Sequence, residues 1–255
     1  VPALQAAFAQ TYRPMEIVIS DDCSRDGSVD VIERMIAEYR AKGGDIPITF
    51  LRQTVNQGNL GNCQRICEVA KGELLIKADG DDISLPNRTE EVVKAWVAAG
   101  RKPLIVYHGA IKINGRGNAF GHCKKSVLDY GPVGAVSTYS RRLFDVFGSI
   151  VVDNPRAGDD TVYGGRAMIL GGECLWLDQE LVKYRVGSGV SSGILGYRGF
   201  MSRGMTANLL AHEQLLEDVR ACKAELPERT RTGHISRLKS EMNDLGLQLK
   251  LWQGK

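Results

Sequence analysis

The sequence predicts an α/β protein with a mostly parallel sheet flanked by helices, and three observations support this fold class. Short apolar runs alternate with amphipathic helical patterns from residue 3 to residue 107, which is typical of parallel strands joined by crossover helices. Residues 108–140 are rich in glycine and β-forming residues, which indicates antiparallel strands and loops added to that half. From about residue 200 onward the pattern is helical.

The individual elements follow from the apolar runs, caps and breakers along the chain. We expect residues 1–195 to form one domain and residues 196–255 a helical C-terminal extension. Strands are expected at 16–20, 46–51, 74–78, 103–107 and 173–177. Helices are expected at 3–11, 29–42, 59–71, 87–99, 141–147 and 159–170, with Ser28 as the cap of the second helix.

The C-terminal extension carries a narrow apolar stripe whose members are three and four residues apart. Such spacing predicts a helix with one apolar face, but the stripe is too short to predict a coiled coil. Docking of the stripe on the body of the protein is the favoured interpretation, and a homodimer seam or peripheral contact with a membrane are the alternatives. The stripe consists of Ile235, Leu238, Met242, Leu245, Leu249 and Trp252.

Composition narrows the class of protein. A formal net charge of +3 over 255 residues gives no indication of nucleic-acid binding. The six cysteines form no CxxC pair, which favours reduced thiols and a cytoplasmic location, with peripheral contact at the inner membrane face as a variant. No apolar run approaches the roughly 20 residues that span a bilayer, and no signal peptide is evident. Because the chain begins inside a helical pattern, we expect a fragment that lacks its natural start.

Carboxylates follow two of the predicted strands at the point where each strand ends. Asp21 and Asp22 follow the first strand, and Asp79, Asp81 and Asp82 follow the third. Open α/β sheets bind ligands at the carboxyl ends of their strands. Three carboxylates within four residues favour a hard divalent cation, Mg²⁺ or Mn²⁺, bridged to substrate phosphates. The alternative interpretation is a solvated acidic loop.

A further acidic pair, Asp159 and Asp160, precedes a predicted helix that bears Arg166. The functional interpretation is a general base beside a pocket, and the alternative is a helix start stabilised by the helix dipole. Signatures of dinucleotide-binding folds, P-loops and serine hydrolases are absent from the sequence, and the four histidines have no metal-ligand spacing.

Together these segments resemble the inverting family-2 glycosyltransferases of GT-A fold, of the rhamnosyltransferase-like type. Residues 16–28 resemble that family's strand followed by Asp-Asp-x-Ser-x-Asp-Gly-Ser, and residues 85–88 read Leu-Pro-Asn-Arg. The resemblance extends over about residues 3–192. Its other segments are 56–58, Asn62, 70–73, 79–82, 134–135, 141–144, Asp159-Asp160 with Arg166, and Tyr184-Arg185.

The resemblance implies roles for several of these residues. It implies a sugar donor linked to UDP, GDP or dTDP, and a glycan or glycolipid acceptor in cell-envelope polysaccharide assembly. Asp22 would bind the nucleobase, Asp79 the ribose or donor sugar, and Asp81 with Asp79 the metal. Asp160, beside Asp159, would deprotonate the acceptor hydroxyl. The remaining nucleotide-sugar contacts implied are Asp21, Asn62 and Arg166.

The sequence departs from the family pattern at three places. The family's first strand is expected before Val1, Gly187 stands where many members have a histidine, and Asp159 replaces the commoner glutamate. Three other functions remain as alternatives. These are a receiver-like signalling module, a nucleotidyltransferase that makes sugar nucleotides, and a catalytically idle sugar-nucleotide binder.

Overall fold

The computed structural model describes residues 1–124, 134–150, 159–187, 197–222 and 226–253. The helices are α1 (Pro2–Phe8), α2 (Ser28–Ala41), α3 (Gly58–Val69), α4 (Arg88–Ala98), α5 (Arg142–Phe147), α6 (Asp159–Ile169), α7 (Tyr197–Ala221) and α8 (Glu228–Gln253). The strands are β1 (Ile17–Asp21), β2 (Ile48–Arg52), β3 (Leu74–Ile76), β4 (Ile83–Ser84), β5 (Ile105–Ile113), β6 (Ala119–Cys123), β7 (Ser137–Ser140) and β8 (Cys174–Arg185).

Strands β1 and β2 pair in parallel, from Ile17 opposite Ile48 to Asp21 opposite Arg52. Helix α2 joins them as a crossover, as the alternation of patterns predicts. The start of α2 differs from the prediction. Gly27, with φ +79°, is the cap residue, and Asp26 Oδ1 accepts hydrogen bonds from both the backbone N and the Oγ of Ser28. The prediction of a Ser28 cap is therefore wrong, because the Asp26 carboxylate engages both donors.

The other six strands form a mixed sheet in the order β3-β7-β5-β8-β4, with β6 paired to β5. Among the described pairings of this sheet, β5–β8 is parallel and the rest are antiparallel. The α/β class with flanking helices is confirmed, but the expectation of a mostly parallel sheet is wrong for this half. The reason is that β7, from the segment after residue 108, inserts between β3 and β5 and runs antiparallel to both.

Helix α6 packs on this sheet through the largest buried apolar cluster. The ring of Tyr163 lies 4.8 Å from that of Tyr139 and 4.9 Å from that of Phe144, measured between centroids. Burial of each such side chain contributes about 1.5–3 kcal/mol. The packing fixes the first turn of α6 beside β7. The buried members of the cluster are Leu60, Leu104, Ile105, Tyr139, Leu143, Ile150, Val162, Tyr163, Ala167 and Ala211.

The C-terminal helices pack on the same body. Ile169 of α6 shares a second buried cluster with Leu215 and Val219 of α7 and Leu238 of α8. Within the apolar stripe, Ile235 and Met242 pack against this cluster as well. These contacts agree with docking of that part of the stripe on the body of the protein. The side chain of Trp252 lies outside the described residues. Across the described residues, no helix is long and apolar enough to cross a membrane. The domain boundary at residues 195 and 196 stays a prediction.

Candidate active site

The first strand end presents two aspartates with different surroundings. Asp21 is buried, and its Oδ2 accepts a hydrogen bond of 2.9 Å from the backbone N of Ser24, which shapes the turn after β1. Asp22 is half-buried, and its Oδ1 accepts one of 2.7 Å from the backbone N of Gln57, at the start of α3. The backbone carbonyl of Asp22 also accepts a bond from Asn56 Nδ2. The two residues therefore shape the loop after β1 and hold it against the start of α3.

Asn62 lies one turn into α3 and bonds to the same strand. Its Oδ1 accepts a hydrogen bond of 2.5 Å from Ser20 Oγ, and its Nδ2 donates to the Ser20 carbonyl oxygen over 3.4 Å. Gln53 Nε2 donates to the same Ser20 Oγ. Asn62 thus fixes the helix to the strand end that carries Asp21 and Asp22. A contact of Asn62 with a donor stays a prediction.

The acidic loop follows β3 as the sequence predicts. Asp82 is only 4% exposed, its Oδ1 accepts a hydrogen bond of 2.7 Å from the backbone N of Arg185, and its Oδ2 has no partner among the described residues. Burial, together with the neighbouring charges of Asp79 and Asp81, raises the pKa of Asp82 to about 6. The loop therefore concentrates negative charge that is costly without a cation.

A hard divalent cation fits this donor set. Carboxylate oxygens are the ligands that Mg²⁺ and Mn²⁺ prefer, and the buried Oδ2 of Asp82 marks a position where added positive charge would be favourable. Within the part of the chain that the structure describes, no three His, Cys, Asp or Glu side chains converge as a complete metal site. The arrangement therefore suits an ion held by one or two carboxylates and completed by substrate phosphates and water.

Asp160 lies in the first turn of α6, and the fold brings it close to the acidic loop. Its Oδ1 accepts a hydrogen bond of 3.2 Å from the Tyr139 hydroxyl and lies 3.8 Å from Lys77 Nζ. The same Nζ lies 3.7 Å from Asp79 Oδ1. Asp160 and Asp79, from opposite halves of the chain, therefore meet around one lysine. The side chain of Asp159 lies outside the described residues.

Arg166 is not brought to this cluster. Its guanidinium is fully buried and donates to both carboxylate oxygens of Asp218 on α7, over 2.8 and 3.0 Å. A third bond reaches the Gly148 carbonyl oxygen, and the group lies over the Phe147 ring. These contacts link α6 to α7, so in this structure Arg166 braces the helix that carries Asp160 and does not line the site.

Arg88 is a buried cation beneath the acidic loop, and the sequence marks it only as the last residue of the Leu-Pro-Asn-Arg segment. Arg88 Nε donates to His108 Nε2 over 2.9 Å, and its Nη2 donates to the Ala135 carbonyl oxygen over 2.9 Å. Burial lowers the pKa of Arg88 to about 10, although the negative charges of Asp79 and Asp82 act in the opposite direction and raise it. The Leu-Pro-Asn-Arg segment contains Arg88, but its partner His108 has no local signal.

Arg185 holds the acidic loop from the other side. Its Nε donates to the Asp81 carbonyl oxygen over 2.9 Å, and its Nη1 donates to the carbonyl oxygens of Asn114 and Gly115 over 2.9 and 3.0 Å. These bonds join the end of β8 to the acidic loop and to the turn between β5 and β6. The Tyr184-Arg185 pair in the sequence is the signal for this contact.

Solved structures identify the fold class. TarS of S. aureus (residues 1–349), solved with UDP-GlcNAc, matches with a TM-score of 0.63 at 16% identity, over 92% of this chain and 66% of that one. The mannosyltransferase PcManGT of Pyrobaculum calidifontis, solved with GDP-Man and Mn²⁺, matches with a TM-score of 0.61 at 14% identity, over 98% and 75%. These likenesses show a GT-A fold, as predicted.

The family follows from the sequence. The model of glycosyl transferase family 2 matches residues 1–145, more than half of the chain, so the chain belongs to that family of glycosyltransferase enzymes. A protein of Escherichia coli (strain K12) named as the colanic acid biosynthesis glycosyl transferase WcaA is 26% identical over 147 residues, or 56% of this chain and 47% of that protein. The chain spans less than half the length of the first curated relatives it matches. The rhamnosyltransferase-like type stays a prediction.

Proposed function

We propose that this chain transfers a sugar from a nucleoside-diphosphate sugar to an acceptor hydroxyl, with inversion at the anomeric carbon and with Asp160 as the general base. The observation that carries the proposal is the meeting of Asp160 and Asp79 around Lys77. Membership of family 2 and a GT-A fold support the same reaction class.

The donor side of the proposed site is the edge formed by the ends of β1 and β3. In this proposal Asp22 binds the nucleobase, with Asp21 and Asn62 fixing the loop around it, and Asp79 binds the ribose or donor sugar. The donor class is a UDP, GDP or dTDP sugar. TarS with UDP-GlcNAc and PcManGT with GDP-Man, both of the same fold, support a donor of this class.

Asp81 and Asp79 are the residues that would hold Mg²⁺ or Mn²⁺. When bound, such an ion neutralises negative charge on the departing diphosphate. Arg185 keeps Asp81 in place through the Asp81 carbonyl oxygen, and Asp82 caps the end of β8 through its bond from the Arg185 backbone. The Mn²⁺ in the PcManGT structure supports a divalent ion at this fold.

The proposed chemistry is one in-line displacement. A carboxylate oxygen of Asp160 takes the proton of the acceptor hydroxyl, and the freed electron pair of that oxygen forms the bond to the anomeric carbon. The bond from this carbon to the diphosphate oxygen breaks, and its electron pair leaves with the nucleoside diphosphate. Asp160 is 25% exposed, which leaves it accessible to an acceptor, and one base suffices for a single displacement.

The acceptor in this proposal is a glycan or glycolipid used in cell-envelope polysaccharide assembly at the cytoplasmic side of the membrane. The name of WcaA, which refers to colanic acid biosynthesis, supports a polysaccharide acceptor. The reaction is expected in the cytoplasm, where nucleotide sugars are the donors.

Nucleoside diphosphate release with a panel of UDP-, GDP- and dTDP-sugars plus Mn²⁺ tests the proposal. We expect release with one donor class, and Asp160→Asn should lower the transfer rate by about 10²–10⁴-fold because the general base is lost. Donor affinity should be unchanged in that variant. Asp145→Asn, at an exposed position on α5, is the matched control and should keep full activity.

Two results would contradict the proposal. If the Asp160→Asn variant still transfers sugar at the wild-type rate, Asp160 is not the general base. Donor binding without diphosphate release, for every donor and with acceptor extracts present, would instead indicate a sugar-nucleotide binder without transferase activity.

A further inference from the structure

Lys77 directly follows the short strand β3 and has no role in the chemistry described so far. Its side chain is 13% exposed, so its ammonium group is largely withdrawn from water. Among the described residues, the carboxylates of Asp79, on the donor side, and of Asp160, the proposed base, lie within 3.8 Å of its ammonium nitrogen. A lysine side chain has several rotatable bonds, so holding it between two acids requires a shaped environment.

Gly134 supplies that environment and is an independent observation. A Cβ atom added at residue 134 would lie 2.5 Å from Lys77 Nζ and 2.7 Å from Asp160 Oδ1. Real Cβ atoms do not approach other atoms this closely, so any side chain here would displace the lysine, the aspartate or both. The absence of a side chain at Gly134 therefore allows the backbone before β7 to close over the Lys77–Asp160 contact.

Three elements thus enclose the Asp160 carboxylate. The loop after β3 contributes Lys77, the turn before β7 contributes the bare backbone of Gly134, and β7 contributes the Tyr139 hydroxyl. A general base acts efficiently when another group fixes its orientation. A misplacement of about 1 Å at such a site can lower the rate about 10²-fold.

We infer that Lys77 is a positioning residue that holds the Asp160 carboxylate for proton transfer and links it to Asp79 on the donor side. This inference rests on the proposed transferase function. A positive charge between the two carboxylates also offsets their mutual repulsion in a partly buried site. The two acids can therefore lie close together before donor and acceptor arrive.

The test compares Lys77→Met and Lys77→Arg with the wild-type enzyme at saturating donor and acceptor. We expect Lys77→Met to lower kcat by about 10–100-fold, because Asp160 loses its orientation, with donor Kd within about twofold of wild type. Lys77→Arg should recover most of kcat because it restores a cation. Lys42→Met, at an exposed position directly after α2, is the matched control and should not change kcat.

A second experiment distinguishes an effect of Lys77 on Asp160 from an effect of Lys77 on Asp79. In an Asp160→Asn background, Lys77→Met should produce no further loss of the residual rate, because contacting residues that act as a unit are not additive. Gly134→Ala should lower kcat in the same way without removing any charge. If Lys77→Met does not fold, as judged by its thermal unfolding, Lys77→Arg and Gly134→Ala carry the test.

Each outcome has a separate meaning. An unchanged kcat in Lys77→Met, or a weaker donor Kd with unchanged kcat, would overturn the inference while leaving the transferase proposal intact. An equal further loss in the Asp160→Asn background would overturn it as well. If wild-type protein releases no diphosphate from any donor, the proposed function fails first, and the inference fails with it.

Discussion

One buried histidine should make a destabilising contribution when this protein is acidified from pH 7 to pH 5. His108 is fully buried, and its Nε2 accepts a hydrogen bond from Arg88 Nε, so the ring is neutral with its proton on Nδ1. That Nδ1 donates to the Gly109 carbonyl oxygen over 2.8 Å. Burial, together with the Arg88 charge, lowers the pKa of His108 to about 3, compared with about 6.5 in an unfolded chain.

The sign and size of the effect follow from these two pKa values. Below pH 6.5 the unfolded chain takes up a proton that the folded protein does not accept until about pH 3, so stability falls as the pH falls. Between pH 7 and pH 5 this proton uptake lowers the free energy of unfolding by about 2 kcal/mol. The magnitude depends little on the native pKa, because pH 5 is well above it.

Urea unfolding at pH 7 and pH 5 measures the effect, with His108→Asn as the test variant. An asparagine carries one acceptor and one donor group but does not titrate, so its pH-dependent loss should be about 2 kcal/mol smaller than that of wild type. Ser84→Ala removes another partner of Arg88 and should lower stability equally at both pH values. If His108→Asn loses as much stability as wild type between the two pH values, the reasoning is refuted.

Two further substitutions probe the contacts that support the site. Asp218→Asn should lower the free energy of unfolding by about 3–5 kcal/mol in urea, because it leaves the buried Arg166 guanidinium without its carboxylate; a loss below 1 kcal/mol would contradict this account. Arg185→Met removes the donor to the Asp81 carbonyl oxygen and should weaken Mn²⁺ binding, measured by titration with Mn²⁺ alone, by about 10–100-fold. Lys183→Met, exposed on the same strand, should leave Mn²⁺ affinity unchanged, and equal affinities in all three proteins would count against the role of Arg185.

Features set by local patterns could be predicted from the sequence. The strand ending at Asp21 and the one preceding Asp79 are marked by apolar runs, and the structure places both where expected, within one or two residues. The position of β7 could not be predicted in this way, since its pairing with β3 and β5 joins segments far apart in the chain. Pairing between such segments leaves no periodic signal in either strand.

The candidate site shows the same difference between features marked by local patterns and features that depend on long-range packing. The acidic loop is evident from the spacing of its carboxylates, whereas the approach of Asp160 to Asp79 depends on how α6 packs on the sheet. Arg166 illustrates what the sequence cannot show. An arginine six residues after Asp160 suggests a ligand contact, but the structure places it against Asp218 instead. The carboxylate of Asp218 lies in a helix without any motif, so nothing local identifies it as the partner.

The bracing of α6 by the C-terminal helices constrains how this enzyme can be recombined with its relatives. Thr161, next to Asp160, contacts Asn208 of α7 across 3.2 Å between their side-chain oxygens, and Arg166 is bound to Asp218 further along the same helix. A chimera joined at residue 195 would separate the helix of the proposed base from the helices that hold it. A junction placed before residue 159 would transfer α6, α7 and α8 together, but it would also move β8, which pairs with β4 and β5 of the first half. A recombination partner therefore has to supply strands that accept β8 as well.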